Sequence, residues 1–328
     1  MTERDSDTVK RALLPLDANI PWLAGLQRSL GDAIENDRLG HAVLIQVDPG
    51  LGGEWLATWL AARLFCSTDQ SIQPCGHCLE CRRVVSGEQP DLIRLSPIED
   101  SKEIRIDQVR EMASELTLTS HGRGRKVAVI TPAERLNRNA ANALLKTLEE
   151  PQGSSLLLLV TGEPSRLPAT VQSRCTRVGV PVPPIAELEA WLRAHGGTAT
   201  DWKAVMSAIG PQPLLALQSD AETIADLQRE TVRALDQVVA GTLDPVETAE
   251  SWGKEFFALR IRCIEHWLVT RIHDWATGQR PANTEALFAA LDEAREARQW
   301  TETPVNKPLA LERLLWRLNA IATSRRPA

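Results

Sequence analysis

The six residues Ala42-Val43-Leu44-Ile45-Gln46-Val47 end at Asp48-Pro49-Gly50-Leu51-Gly52-Gly53. A short apolar run bounded by a glycine turn reads as a strand buried on both faces. Residues 54–64 follow with a helical pattern. Strand, glycine loop and helix, in that order, open the α/β folds that bind nucleotides. Further apolar runs stand at 92–95, 127–130, 156–160 and 176–180. Helices are predicted at 107–118 and 139–150, the second stopped by Pro151. A helix is also predicted at 21–40, with Trp22, Leu23, Leu26, Leu30 and Ile34 near a 3.6 period. Runs without alternation, separated by helices, predict a parallel sheet covered on each side.

The pattern changes at Pro181-Val182-Pro183-Pro184. No strand signal follows. Short helices are predicted at 185–194, 201–209 and 213–217, then longer ones at 221–240, 247–276, 283–300 and 307–322. The chain is thus divided into 1–182, 183–221 and 222–328, a division that its 328 residues accommodate. With 43% apolar and 24% charged residues, disordered and collagen-like classes are excluded. The net charge of −6 argues against a chain that grips DNA alone, which would be basic. The longest apolar run is far below the roughly 18 residues that span a bilayer. Residues 1–17 mix acids and bases without a hydrophobic signal core, so a cytoplasmic protein with no membrane partner is expected. There are no tyrosines and ten tryptophans, most in apolar helical patterns that predict core packing.

Six cysteines in a reducing compartment are metal ligands or core residues before they are disulfides. Cys66, Cys75, Cys78 and Cys81 have the spacing C-x8-C-x2-C-x2-C. Two overlapping C-x2-C steps curl the backbone around one ion, and Cys66 at a helix end can close a tetrahedron of thiolates. Four soft ligands suit structural Zn²⁺. An iron–sulfur cluster and inert or redox-active thiols are the other readings; the C-x3-C-P completion of a ferredoxin run is missing. His77, inside the knuckle, could replace one cysteine. Cys175 and Cys263 lie outside and read as core.

Against G-x-x-x-x-G-K-[ST], aligned on Gly52, the first glycine becomes Val47, the lysine Gly53 and the hydroxyl residue Glu54. The lysine reaches the β/γ-phosphates and the hydroxyl holds Mg²⁺. Both are missing here, and Glu54 would repel a polyphosphate. The strand at 127–130 is followed by Thr131 and Pro132 where an acid pair would stand. The loop Gly50, Gly52, Gly53 therefore reads as a degenerate phosphate loop that hydrolyses no ATP, or as one that never bound phosphate.

Several strings go further. They are Arg38-Leu39-Gly40-His41-Ala42, Ile106-Asp107-Gln108-Val109-Arg110, Asn142-Ala143-Leu144-Leu145-Lys146-Thr147-Leu148-Glu149-Glu150-Pro151 and Leu167-Pro168-Ala169-Thr170 with Ser173-Arg174-Cys175. Near the end stand Asn306-Lys307-Pro308-Leu309-Ala310-Leu311-Glu312. With them the chain resembles the AAA+ clamp-loader family of bacterial DNA polymerase III, on its branch without ATPase chemistry. The resemblance implies an AAA+ P-loop-type α/β module with a zinc insertion at 66–81, a small helical lid and an all-α collar that joins subunits into a ring. The implied partners are the gamma/tau ATPase subunits and the delta subunit, and, through the assembly, a sliding clamp and primed DNA. It further implies that Arg174 enters a neighbouring subunit's ATP site as an arginine finger in trans, so that ATP belongs to the neighbour. Ser173 and Cys175 shape the turn, and Arg177 is an exposed charge. ATPase relatives carry a sensing Arg in the lid; Gly210-Pro211-Gln212-Pro213-Leu214 has none.

Some residues keep two readings. Arg123, Arg125 and Lys126 form a solvated loop or a phosphate contact. Trp252, Phe256, Leu259, Cys263 and Trp267 form one stripe, and Ile264, Leu268, Ile272 and Trp275 an adjacent one, for a collar core or a subunit interface. Two other functions stand beside the first: an autonomous AAA+ ATPase of the gamma/tau type, and a zinc adaptor for nucleic acid. Few basic or aromatic residues flank the knuckle beyond Arg82 and Arg83, so the adaptor ranks last.

Overall fold

The computed structural model describes residues 14–68, 73–98, 101–122, 124–151, 153–278, 284–299 and 306–323. The chain divides into two compact units, Met1–Pro183 and Pro184–Ala328.

The first unit runs α1 (Ala24–Glu35), β1 (Ala42–Gln46), α2 (Gly53–Phe65), α3 (Leu79–Ser86), β2 (Leu92–Leu95), α4 (Ile106–Thr117), β3 (Val127–Ile130), α5 (Arg138–Glu149), β4 (Leu156–Thr161), α6 (Ala169–Gln172) and β5 (Thr176–Gly179). The five strands form one sheet in the order β2-β3-β4-β1-β5, and every pairing is parallel. The central strands β3 and β4 are buried at every position, while β5 at one edge is largely exposed. Only an edge strand has a side free of neighbours, so only there can charges such as Arg177 sit in the run. One sheet face, with Leu44, Ile130, Leu157 and Leu159, packs on Met112 of α4 and Leu144 and Leu148 of α5.

Alternation turns Val43, Ile45, Leu158 and Val160 to the opposite face. There α2 is buried at all but Glu54 in its first turn and the half-buried Leu64, including Trp55, Leu56, Trp59 and Leu60. A helix apolar all round belongs inside a domain. Trp22, Trp55, Trp59, Trp191, Trp202, Trp252 and Trp267 are all buried, as core tryptophans should be, whereas Trp275 and Trp316 are not.

The basic loop before β3 is not a phosphate contact built on Lys126. That side chain is buried and pairs with the buried Asp91 (3.8 Å). Asp91 also accepts from the backbone N–H groups of His121 (2.9 Å) and Gly122 (3.0 Å), tying the loop down. Arg125 is half-buried, and Arg123 lies outside the described residues.

The second unit is helical among its described residues: α7 (Ile185–Gly196), α8 (Trp202–Ile209), α9 (Pro213–Gln218), α10 (Ala221–Ala240), α11 (Pro245–Lys254), α12 (Phe257–Ala276), α13 (Thr284–Gln299) and α14 (Lys307–Thr323). Helices α10 to α14 share one core through Leu235, Trp252, Ile264, Leu291 and Leu314. The single helix expected over 247–276 is two. Phe256 sits between them in the left-handed region (φ 55°) and is half-exposed. The extra residue turns the stripe, so Phe257 and Ile261 enter the core in place of Phe256 and Leu259. The freed space takes Arg260, buried above the Trp252 ring (4.8 Å) and donating to Thr231 Oγ1 and Glu230 (both 3.1 Å).

Helices α11 and α14 approach closely at Gly253. A Cβ there would meet Pro308 at Cγ (2.5 Å), Cδ (2.7 Å) and the backbone N (2.9 Å). Gly→Ala inside a helix normally gains about 1 kcal/mol. At this contact overpacking of about 1–3 kcal/mol opposes it. Gly253→Ala should therefore lower the urea midpoint; an unchanged or raised midpoint would show that α14 can yield.

Candidate functional site

The cysteine cluster is built on helix ends. Cys66 caps the C-terminus of α2, Cys78 caps the N-terminus of α3, and Cys81 lies in the first turn of α3. The four sulfurs all lie within 4.8 Å of one another. Four sulfurs about 2.3 Å from a tetrahedral zinc would be roughly 3.8 Å apart, so the set is sized for a metal ion. Backbone N–H groups point at the sulfurs: Cys75 to Cys66 Sγ (3.4 Å), Cys78 to Cys75 Sγ (3.3 Å) and Cys81 to Cys78 Sγ (3.4 Å). The bond from the Cys78 N–H outweighs burial and pulls the Cys75 thiol down to about 5. At Cys78 burial works upward, but hydrogen bonds from Ser67 and the Cys81 N–H leave it below its ordinary value. Burial pushes Cys81 up.

His77 is exposed and its Nδ1 donates to the Cys75 carbonyl (2.7 Å); it serves the turn. Helix α3 was not expected from the sequence. Only Cys81 and Val84 of its eight residues are buried, too few to show a period.

The loop between β1 and α2 holds Gly50 (φ 77°) and Gly52 (φ 97°) in the left-handed region, where L side chains are strained. Gly53 opens α2. A Cβ on Gly53 would overlap Val47 Cγ1 and stand 2.9 Å from Val160 Cγ1. Val47 thus fills the room through which a lysine stem at 53 would have to run. Glu54, in the first turn of α2, supplies the negative charge that a helix N-terminus favours. Its Oε1 accepts from Thr131 Oγ1 (3.3 Å). The two positions that would share Mg²⁺ in a hydrolysing loop are bonded to each other. Leu51 is fully buried, and its carbonyl accepts from Trp22 Nε1 (2.9 Å). No sequence signal pointed to Trp22 as a loop anchor, because an indole N–H finds its partner only through the fold.

Arg174 lies in the turn between α6 and β5 and is exposed. Its Nη1 donates to the Thr170 carbonyl (2.9 Å) and its Nη2 pairs with Glu149 Oε1 (2.6 Å) at the end of α5. Ser173 Oγ donates to the Thr170 carbonyl (3.2 Å) and Cys175 Sγ to the Val171 carbonyl (3.3 Å), closing the turn around it. Burial pushes the Cys175 thiol up to about 11, and that of Cys263 to about 12, so neither is a nucleophile at neutral pH. In the second unit Gly210 (φ 88°) ends α8, and Pro213 opens α9 where its missing N–H costs nothing. Arg262 of α12 donates to the Ile209 carbonyl at that helix end (3.1 Å).

Among the described residues no helix is long and apolar enough to cross a membrane. A solved gamma subunit-related protein of DNA polymerase III from Thermotoga maritima is similar in fold, with a TM-score of 0.51 at 20% identity over 92% of this chain and 99% of that one. The family described as "DNA polymerase III, delta subunit" matches residues 24–183. The DNA polymerase III subunit delta' of Pseudomonas aeruginosa is 35% identical over 71% of this chain and 70% of that protein. The subunit delta' of Haemophilus influenzae is 32% identical over 79% and 77%. A five-stranded parallel sheet, a cysteine quartet able to hold a metal and identity of this extent place the chain in the family of DNA polymerase III delta' subunits.

Proposed function

We propose that this chain is a non-hydrolysing subunit of the clamp loader of DNA polymerase III. It joins gamma/tau ATPase subunits and the delta subunit, and helps place a sliding clamp on primed DNA. Residues 1–182 act as the AAA+ module, 183–221 as its lid and 222–328 as the collar that joins the subunits. Cys66, Cys75, Cys78 and Cys81 hold a structural Zn²⁺. This chain binds no ATP of its own. Its chemical contribution is Arg174, an arginine finger at the ATP site of a neighbouring ATPase subunit. The guanidinium stays charged and binds phosphate oxygens as a fork, which suits charge developing on a transferring phosphoryl group.

The observation that carries the non-hydrolysing part is the loop itself. Val47 fills the lysine path, and Glu54 bonds Thr131 where a metal would sit. An autonomous ATPase of the gamma/tau type needs both places open. Titration of the isolated chain with ATP should show no saturable binding. The double variant Gly53→Lys, Glu54→Thr should still show no turnover. Its new side chain collides with Val47 and Val160, and no acid stands at 131 or 132. Overpacking of about 1–3 kcal/mol should also lower its melting temperature. ATP turnover by either protein would favour the ATPase reading instead.

A further inference from the structure

We infer that Glu149 is the positioning residue of Arg174, an inference that rests on reading Arg174 as a finger. The pair joins the last residue of α5 to the turn before β5, and both ends are fixed by the start of β1. His41 Nε2 donates to the carbonyl of Leu148 (2.9 Å), the residue before Glu149. Gly40 lies so close to Thr176, two residues beyond Arg174, that a Cβ would stand 2.8 Å from its Oγ1. Strand β5 then pairs with β1 along its length. The carboxylate and the guanidinium are therefore held on one frame, and the string Arg38-Leu39-Gly40-His41 acquires a physical purpose.

The side chains of Arg174 and Glu149 are 36% and 51% exposed. An ion pair so open to water contributes little to folding. Its geometry matters more. A free arginine loses much rotamer freedom on docking. Here the Thr170 carbonyl, Ser173 Oγ and Glu149 engage three of the five N–H donors and fix the side chain beforehand. Two donors remain for phosphate oxygens. A group held in place before the neighbour arrives acts with less reorganisation.

The test uses the complete loader, reconstituted with this chain, and DNA- and clamp-stimulated ATP turnover. The relevant quantity is the component of turnover that Arg174→Ala removes. Glu149→Ala should lower that component about two- to fivefold, the range an exposed pair supports, with KM for ATP little changed. Glu149→Gln, which keeps an acceptor, should fall between wild type and Glu149→Ala. In the Arg174→Ala background, Glu149→Ala should do nothing more. Melting curves check that each variant is folded. If Glu149→Ala is normal or faster while Arg174→Ala is impaired, positioning is overturned and the finger stands. An equal loss in the Arg174→Ala background would make Glu149 merely structural. Normal turnover in Arg174→Ala would remove the finger, and the positioning role with it.

Discussion

Replacing Arg174 by alanine should abolish most ATP turnover at the one site that this chain completes, while the loader still assembles. An arginine finger supplied in trans is worth about 10³–10⁵ in rate, because it meets charge that develops only in the transition state. The side chain is exposed, and its contacts are to the turn and to the exposed Glu149 at the end of α5, so its loss should not disturb the sheet. A loader with several ATP sites dilutes the effect, and total turnover falls only by the share of that site. Arg174→Lys should recover little, since an ammonium cannot form the planar fork. Size-exclusion chromatography separates lost assembly from lost chemistry. Wild-type stimulated turnover with Arg174→Ala in an intact loader would return Arg174 to an ordinary surface charge held by Glu149.

The sheet is legible in the sequence because a strand buried on both faces cannot hide its apolar run. All five runs became strands, and the glycine loop fell between β1 and α2. The cysteine quartet is legible because metal geometry needs short spacings. What escaped depends on neighbours distant in the chain. The break has no glycine or proline at Glu255 or Phe256 to announce it, and Gly253 before it is still helical; packing of Phe257 and Arg260 selects it over a continuous helix. Lys126 reads as a loop cation until Asp91, 35 residues away, takes it into the interior. The degenerate loop is half visible. Missing Lys and Ser/Thr can be read from the sequence, but the closure of the site by Val47 and by the Glu54–Thr131 bond needs three segments brought together. The Arg174–Glu149 pair is of the same kind, since each partner alone looks like a solvated charge.

Cys78→Ser should strip the metal from the knuckle and leave the sheet standing. Structural zinc sites in small modules contribute on the order of 10–16 kcal/mol of folding free energy, because the site does not exist without the fold. Here the ion has less to organise. Helix α2 is already held by Trp55, Leu56, Trp59 and Leu60 in the core, so Cys66 stays in place without metal. On the other side of the site, α3 buries only Cys81 and Val84, which cannot fix eight residues alone. Loss of one sulfur should therefore unfold the chain between Cys66 and α3 and little beyond. The purified wild type should carry about one zinc per chain and the variant almost none. Far-UV circular dichroism should change slightly, while protease cleavage should appear between residues 66 and 86. Serine at 78 keeps a polar cap for α3, so a lost helix cap is not the cause. Full retention of zinc would remove Cys78 from the ligand set. Collapse of the whole chain would mean that the ion supports the sheet as well, and that packing of α2 is weaker than its burial implies.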